Sequence, residues 1–192
     1  GGIFTSTNRK IEGNLDFLRK AAYTGGLDFK HQWRNRKYYI EANVVVSQVS
    51  GSETAIANTQ KSLTHLFQRV DASHVKFDPN RTSLTGTGGK FEFGKSSGGN
   101  WNYDAGFVWR SPELELNDIG FLRQADDIRQ YAFVGYQTLK PFGKFRRIYA
   151  NFSQFSTYDF DGIYNRIEYS IRGNINFKNN WGTEFGFIHK PR

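Results

Sequence analysis

The chain has 192 residues, of which 38% are hydrophobic and 17% aromatic, with a formal net charge of +8 and a mean hydropathy of -0.63. It has no Cys, which excludes a disulfide framework and thiolate metal sites, and no stretch nears the roughly 18 uninterrupted apolar residues of a membrane helix. The basic residues are scattered rather than clustered, which argues against nucleic acid as a partner.

The first residues, "GGIFTST", have no initiator Met, basic n-region or apolar h-region, so any targeting signal is expected outside this segment and the chain reads as part of something longer. "GGIFT" itself reads as a truncated strand. From Ala21 the odd positions carry Tyr23, Leu27, Phe29, His31 and Trp33, opposed to Thr24, Asp28, Lys30 and Gln32. This period of two marks a strand with one apolar and one wet face. After "RNRK", Tyr38, Ile40, Ala42, Val44 and Val46 oppose Tyr39, Glu41, Asn43, Val45 and Ser47. Two strands flank "KSSGGN": 85–95, with Phe91 and Phe93 against Lys90 and Glu92, then Trp101, Tyr103, Ala105, Phe107 and Trp109 against Asn102, Asp104 and Arg110. A pair at 131–139 and 145–158 turns at "KPFGK". The last hairpin, 166–190, places Ile167, Tyr169, Ile171, Phe177, Trp181, Phe185 and Phe187 opposite Arg166, Glu168, Arg172 and Glu184, with Ile188 the one exception on the wet side.

About nine strands result, most of them about ten to fourteen residues long, beyond the usual five or six of soluble sheets and enough to cross a bilayer when tilted. Long connections (8–19, 51–83, 112–128) and short ones (34–37, 96–100, 140–144, 178–180) alternate, with 159–162 intermediate. Short turns on one rim and long loops on the other characterise outer-membrane barrels. Trp33, Trp101 and Trp181 lie beside short turns and Trp109 near a long-loop end, the level at which indoles meet headgroups. The expected fold is an all-β, antiparallel transmembrane β-barrel segment belonging to a larger barrel. The apolar rows would face lipid, and Asp28, Lys30, Glu41, Lys90, Glu92 and Asp104 would join Arg166, Glu168, Arg172 and Glu184 in the lumen. Both signs of charge line that lumen, so simple ion selectivity is not indicated.

Residues 1–192 are thus read as part of one barrel domain, with 51–83 a long loop carrying an amphipathic helix and 112–129 a long charged and apolar loop. In the first loop Ser50 and Glu53 have capping-box spacing, and Ile56, Leu63, Leu66, Phe67 and Val70 follow at helical intervals. Such a helix covers the barrel mouth or docks on a partner. In the second, Arg110, Arg123 and Arg129 alternate with Glu113, Glu115, Asp118, Asp126 and Asp127. The loop would satisfy its charges internally while Leu114, Leu116, Ile119, Phe121 and Leu122 plug the mouth; a solvated loop is the alternative.

Two runs are more specific than generic strand or turn sequence. One contains Asp78, Pro79, Arg81, Thr82, Ser83 and Leu84 with Gly86, Gly88 and Gly89. The other contains Arg110, Ser111, Pro112, Asn117, Asp118, Gly120, Phe121, Leu122, Arg123, Ala125 and Asp126. On these runs the chain resembles the barrel region of a family of Bacteroidota outer-membrane proteins. In that family a family-nine-type carbohydrate-binding domain precedes a large C-terminal domain of unknown function. The resemblance implies an outer-membrane barrel of which this chain is the middle, and it supplies no established reaction or transport substrate. The carbohydrate-binding domain would lie before Gly1, so sugar binding is not carried over.

Catalytic candidates are weak. "GTGGK" lacks the full P-loop pattern and starts a strand. His31, His65, His74 and His189 are dispersed without metal-ligand spacing, and "YDFDG" reads as a plain turn ahead of a weak calcium site. Ser111 near Asp118, and Ser156 near Asp159, have no neighbouring His in sequence. No enzyme, cofactor or metal is expected. The expected role is a transport-type or scaffold subunit of a bacterial outer-membrane complex, tied to carbohydrate handling by resemblance alone. Its expected partners are the lipid bilayer and lipopolysaccharide, the rest of the barrel, and other outer-membrane proteins or lipoproteins. An outer-membrane hydrolase built from loops and a soluble secreted β-sheet binding module are the alternatives.

Overall fold

The computed structural model describes residues 1–118 and 120–191. Nine strands run in chain order: β1 (Gly2–Asn8), β2 (Arg19–Trp33), β3 (Tyr38–Gly51), β4 (Ser83–Lys95), β5 (Trp101–Arg110), β6 (Asp127–Gln137), β7 (Phe145–Tyr158), β8 (Tyr164–Phe177) and β9 (Gly182–His189). Each pairs antiparallel with the next, giving one sheet in the order β1 to β9. Among the described residues β1 does not pair with β9, so the sheet is open. Helix α1 (Glu53–Lys61) lies between β3 and β4.

Register carries the alternation of each strand across the whole sheet. Leu27 sits opposite Val44, Ala42 opposite Phe91, and Phe91 opposite Phe107. Tyr103 then meets Val134, Val134 meets Phe152, Phe152 meets Ile171, and Ile171 meets Phe187. These side chains form one continuous face and are all exposed except Ala42, with Leu27 at 67% and Phe187 at 64%. Cross-strand aromatic pairs such as Phe91 with Phe107 and Phe152 with Tyr169 knit it together. The opposite face carries Glu41, Lys90, Glu92, Asp104, Arg129, Arg172 and Glu184. Arg166, Glu168, Arg172 and Glu184 therefore share a face, and Ile167, Tyr169, Ile171, Phe185 and Phe187 share the other, as the alternation predicts. On β6 the polar face takes the aromatics Tyr131 and Phe133, because the register turns Ile128, Ala132 and Val134 to the apolar side.

The connections separate by length between the two rims, with 34–37, 96–100, 138–144 and 178–181 on one and 9–18, 52–82, 111–126 and 159–163 on the other. Several boundaries shift: β2, β4 and β8 each begin two residues earlier than the alternation suggested, at Arg19, Ser83 and Tyr164, and β6 begins at Asp127 rather than 131. The charged loop ends at 126 rather than 129, because Asp127 already pairs with Arg110 at the start of β6. The sixth strand ends at Gln137 rather than 139.

The helix is shorter than expected and capped elsewhere. Ser52, not Ser50, is its N-cap, accepting from the Ala55 amide at 3.0 Å, while Ser50 stays in the ladder opposite Ser83. Past Lys61 the chain leaves helical geometry, and Leu66 has φ +51°. Leu63 and Val70 are accordingly exposed, and Ile56 and Phe67 alone of the proposed stripe enter the core, with Ala22, Val49 and Leu84.

Candidate functional site

The long loops fold back over the polar face at their rim and bury it. Gly86 and Gly88 on β4 leave the sheet bare where the 111–126 loop crosses. A Cβ on Gly86 would lie 2.1 Å from the Leu114 amide nitrogen, and one on Gly88 would lie 2.8 Å from a Leu114 methyl. Leu114 fills that space and packs with Leu122, Ala125, Val45 and Leu116. The Glu115 amide donates to Ser47 Oγ at 3.0 Å, pinning the loop to β3. Asn117 holds the loop's shape: its amide donates to Glu115 Oε1 at 2.7 Å, its Oδ1 accepts from the Leu122 amide at 2.6 Å, and its Nδ2 donates to the Leu122 carbonyl at 3.1 Å. Ile119, part of the expected plug, lies outside the described residues. Phe121 points away, 84% exposed.

The first charge cluster ties the 111–126 loop to the β1–β2 connection and the start of β2. Asp118 receives Arg9 at 2.6 Å and Arg19 Nε at 2.8 Å, and Arg19 also reaches Glu115 at 3.0 Å. His65 closes the cluster, its Nε2 3.1 Å from Glu115 and its Nδ1 donating to the Pro112 carbonyl at 2.7 Å. Burial of Glu115 by itself raises its pKa, but the His65 and Asn117 hydrogen bonds and the Arg19 charge outweigh burial and hold it below the ordinary 4.5. Beside the cluster is a cavity of about 410 Å³, lined by Arg9, Arg19, Asn58, Thr59, Glu115 and Asp118 among others.

A second cluster links three connections. Asp126, buried and in left-handed backbone at φ +54°, accepts from Arg69 at 2.6 Å, from His74 Nε2 at 2.8 Å and from the Phe160 amide at 3.1 Å. His74 Nδ1 lies 2.8 Å from Asp161, which also accepts from the amide and hydroxyl of Ser73. Two carboxylates favour the charged form of the imidazole between them: burial lowers the His74 pKa, yet hydrogen bonds to Asp161 and Asp126 raise it above 6.5 overall. The His74 hydrogen bond draws Asp161 down to about 2.

Most of the sequence-predicted loop residues serve as framework around these clusters. Arg81 reaches Glu113 at 2.7 Å, and Arg110 and Arg129 converge on buried Asp127 at 2.8 and 2.6 Å. The Ser111 hydroxyl accepts from the Thr87 amide at 2.7 Å. The Asp78 backbone is held at both ends by the buried Gln60 side chain, and Gly120 donates to the Leu116 carbonyl. Pro79, Thr82 and Arg123 are exposed. The charged loop thus satisfies Asp127 from its own flanks, whereas Glu113, Glu115, Asp118 and Asp126 take their cations from other connections. Sequence reasoning missed Arg9, Arg19, His65, Arg69 and His74 as those partners, since nothing local marks them. It placed Glu92 on the polar face but did not foresee that its carboxylate gathers Tyr39 at 2.7 Å, Lys90 at 2.8 Å and Tyr131.

A family profile described as a domain of unknown function, DUF5916, matches residues 21–192. The chain belongs to the DUF5916 family. No curated protein and no solved structure matches it. The DUF5916 match takes in β2 from Ala21 onward, β3 to β9, α1 and the long loops between them, whereas Arg9 and Arg19 of the first charge cluster precede it.

Proposed function

We propose that this DUF5916 chain forms wall and plug of an outer-membrane β-barrel, serving as a transport-type or scaffold subunit of an outer-membrane complex. The observation that carries the reading is the apolar face running from β1 to β9, set against a polar face whose charges are paired and covered where the long loops cross it. Exposed apolar surface on that scale is unfavourable in water, at about 25 cal/mol per Å², and costs nothing against acyl chains. In lipid every backbone group needs a partner, so the edges of β1 and β9 would pair with further wall of the same barrel. The long-loop rim would then face outward beside lipopolysaccharide and the short turns would face the periplasm.

The loop plug supports a lumen closed at the outer end. Clusters that neutralise one another across three connections suit a mechanical gate or a rigid seal better than an ion filter. The resemblance on the 78–89 and 110–126 runs adds a Bacteroidota source, a preceding carbohydrate-binding domain and partnership with other outer-membrane proteins or lipoproteins. A link to carbohydrate handling rests on that resemblance alone. The reading assigns no catalytic residue, metal or cofactor.

Vesicle flotation after high salt and alkaline carbonate washes tests it. A wall segment stays with the lipid and requires detergent for extraction. Monodisperse behaviour without detergent overturns the reading in favour of a soluble binding module.

A further inference from the structure

The excess charge of this chain is concentrated on the rim opposite the plug. The turn between β2 and β3 carries Arg34, Arg36 and Lys37, and the end of β4 carries Lys95. The turn between β6 and β7 carries Lys140 and Lys144, followed directly by Arg146 and Arg147, and the turn between β8 and β9 carries Lys178. The segments 34–37, 95–100, 138–147 and 178–181 contain no Asp or Glu. Their nine cations exceed the net charge of +8 for the whole chain. At the plug rim, by contrast, Arg9, Arg19, Arg69 and Arg81 each have a carboxylate within 2.6 to 3.0 Å. Among the described residues none of the nine rim cations forms an ion pair. Their recorded partners are neutral: Arg146 donates to Asn180 Oδ1 and Arg147 to Gln137 Oε1, each at 2.7 Å, and Arg34 lies over the Tyr38 ring.

Two further observations point to a headgroup layer. The same rim holds the amphipathic aromatics of the apolar face: Trp33 stacked on Tyr38, Trp101 against Tyr136, and Trp181, which is 75% exposed. Between the last two turns an open cavity of about 570 Å³ is walled by Arg146, Arg147, Asn176, Asn180, Phe177 and Trp181, among others, so cationic and amide donors meet an apolar border. Arg34 and Arg36 also occupy left-handed backbone, at φ +50° and +61°, where Gly or Asn is less strained. Charge is kept there against the local conformational preference.

We infer that the short-turn rim is a docking surface for anionic phospholipid headgroups, with the 570 Å³ cavity seating one phosphate and the aromatic belt setting the depth. The inference rests on the barrel reading, which puts this rim at the phospholipid leaflet. A cation at a charged bilayer surface is worth about a fivefold gain in binding, attenuated by salt within a Debye length of roughly 10 Å.

The test uses the full chain embedded in vesicles of phosphatidylcholine with or without phosphatidylglycerol, followed by detergent extraction and native mass spectrometry of retained lipid. The expected result is a phosphatidylglycerol preference that weakens with salt. In R34Q/R36Q/K37Q/R146Q/R147Q it falls by roughly tenfold or more, and in K10Q/K76Q, which removes exposed cations from the other rim, it persists. Equal retention of both lipids by the wild type, or equal loss in both variants, overturns the inference. So does capture of soluble poly-glutamate by the rim with no lipid preference, which would assign it to an acidic protein. Carbonate-resistant embedding is scored in the same samples, and its loss sinks the barrel reading rather than the rim.

Discussion

Gly86→Ala tests the plug where it touches the sheet. The added Cβ meets the Leu114 nitrogen at 2.1 Å and the Glu113 carbonyl carbon and Leu114 Cα at 2.4 Å, all of them backbone atoms. Carbon contacts are comfortable near 3.5 Å or beyond, so the loop has to retreat by more than about 1 Å. Overpacking of this kind costs about 1–3 kcal/mol. Complete withdrawal would forfeit the burial of Leu114, worth about 1.5–3 kcal/mol, and the bond from the Glu115 amide to Ser47, worth roughly 1 kcal/mol. The expected loss is therefore about 2–3 kcal/mol, read as a lower urea midpoint and as faster tryptic cleavage at exposed Arg123. Gly25→Ala is the comparison, because its nearest neighbour is Phe4 Cδ2 at 3.9 Å, and it should change stability by less than about 0.5 kcal/mol. If Gly86→Ala matches Gly25→Ala in both assays, the loop does not rest on β4 as described.

If the barrel proposal holds, Ile171→Arg impairs membrane insertion by about 2–4 kcal/mol, while Asn174→Arg on the other face of β8 is tolerated; equal assembly yields would refute the proposed lipid-facing side. Asp118→Asn leaves Arg9 and Arg19 without their shared carboxylate and should cost about 3 kcal/mol, and an unchanged unfolding midpoint would show the cluster to be dispensable. The His74 clamp is pH-dependent in a stated direction: its folded pKa lies above 6.5, so its stabilisation is complete below that value and is lost as pH rises through the raised pKa. Asp161 behaves oppositely, contributing above 3.8 and failing only as pH falls through about 2. Hydrogen-exchange protection of residues 71–75, taken relative to the intrinsic base-catalysed rate, should accordingly be greatest in mildly acidic buffer and fall in alkaline buffer, and His74→Gln should flatten that profile.

How much of this was legible in the sequence varies with the distance over which each feature is decided. Strand alternation is local, so β5 and β7 can be bounded to the residue from their side-chain pattern, and the short turns announce themselves through Gly98, Gly99 and Asn180. The helix was half legible: its composition showed, but its cap did not, because whether Ser50 caps α1 or pairs with Ser83 depends on β4. The two charge clusters were not legible at all. Arg19 and Asp118, or His74 and Asp161, are far apart in the chain and meet only when the sheet carries their connections to one rim.

The sequence by itself determined that this chain makes long, two-faced antiparallel strands joined by unequal connections. A period of two and a run of turn residues are properties of neighbours. The tertiary structure decided which side of β6 faces the apolar surface, where the plug rests, and which cations remain unpaired. Those outcomes depend on register and on partners from distant segments, and a buried carboxylate accepts whichever cation the fold brings within about 3 Å.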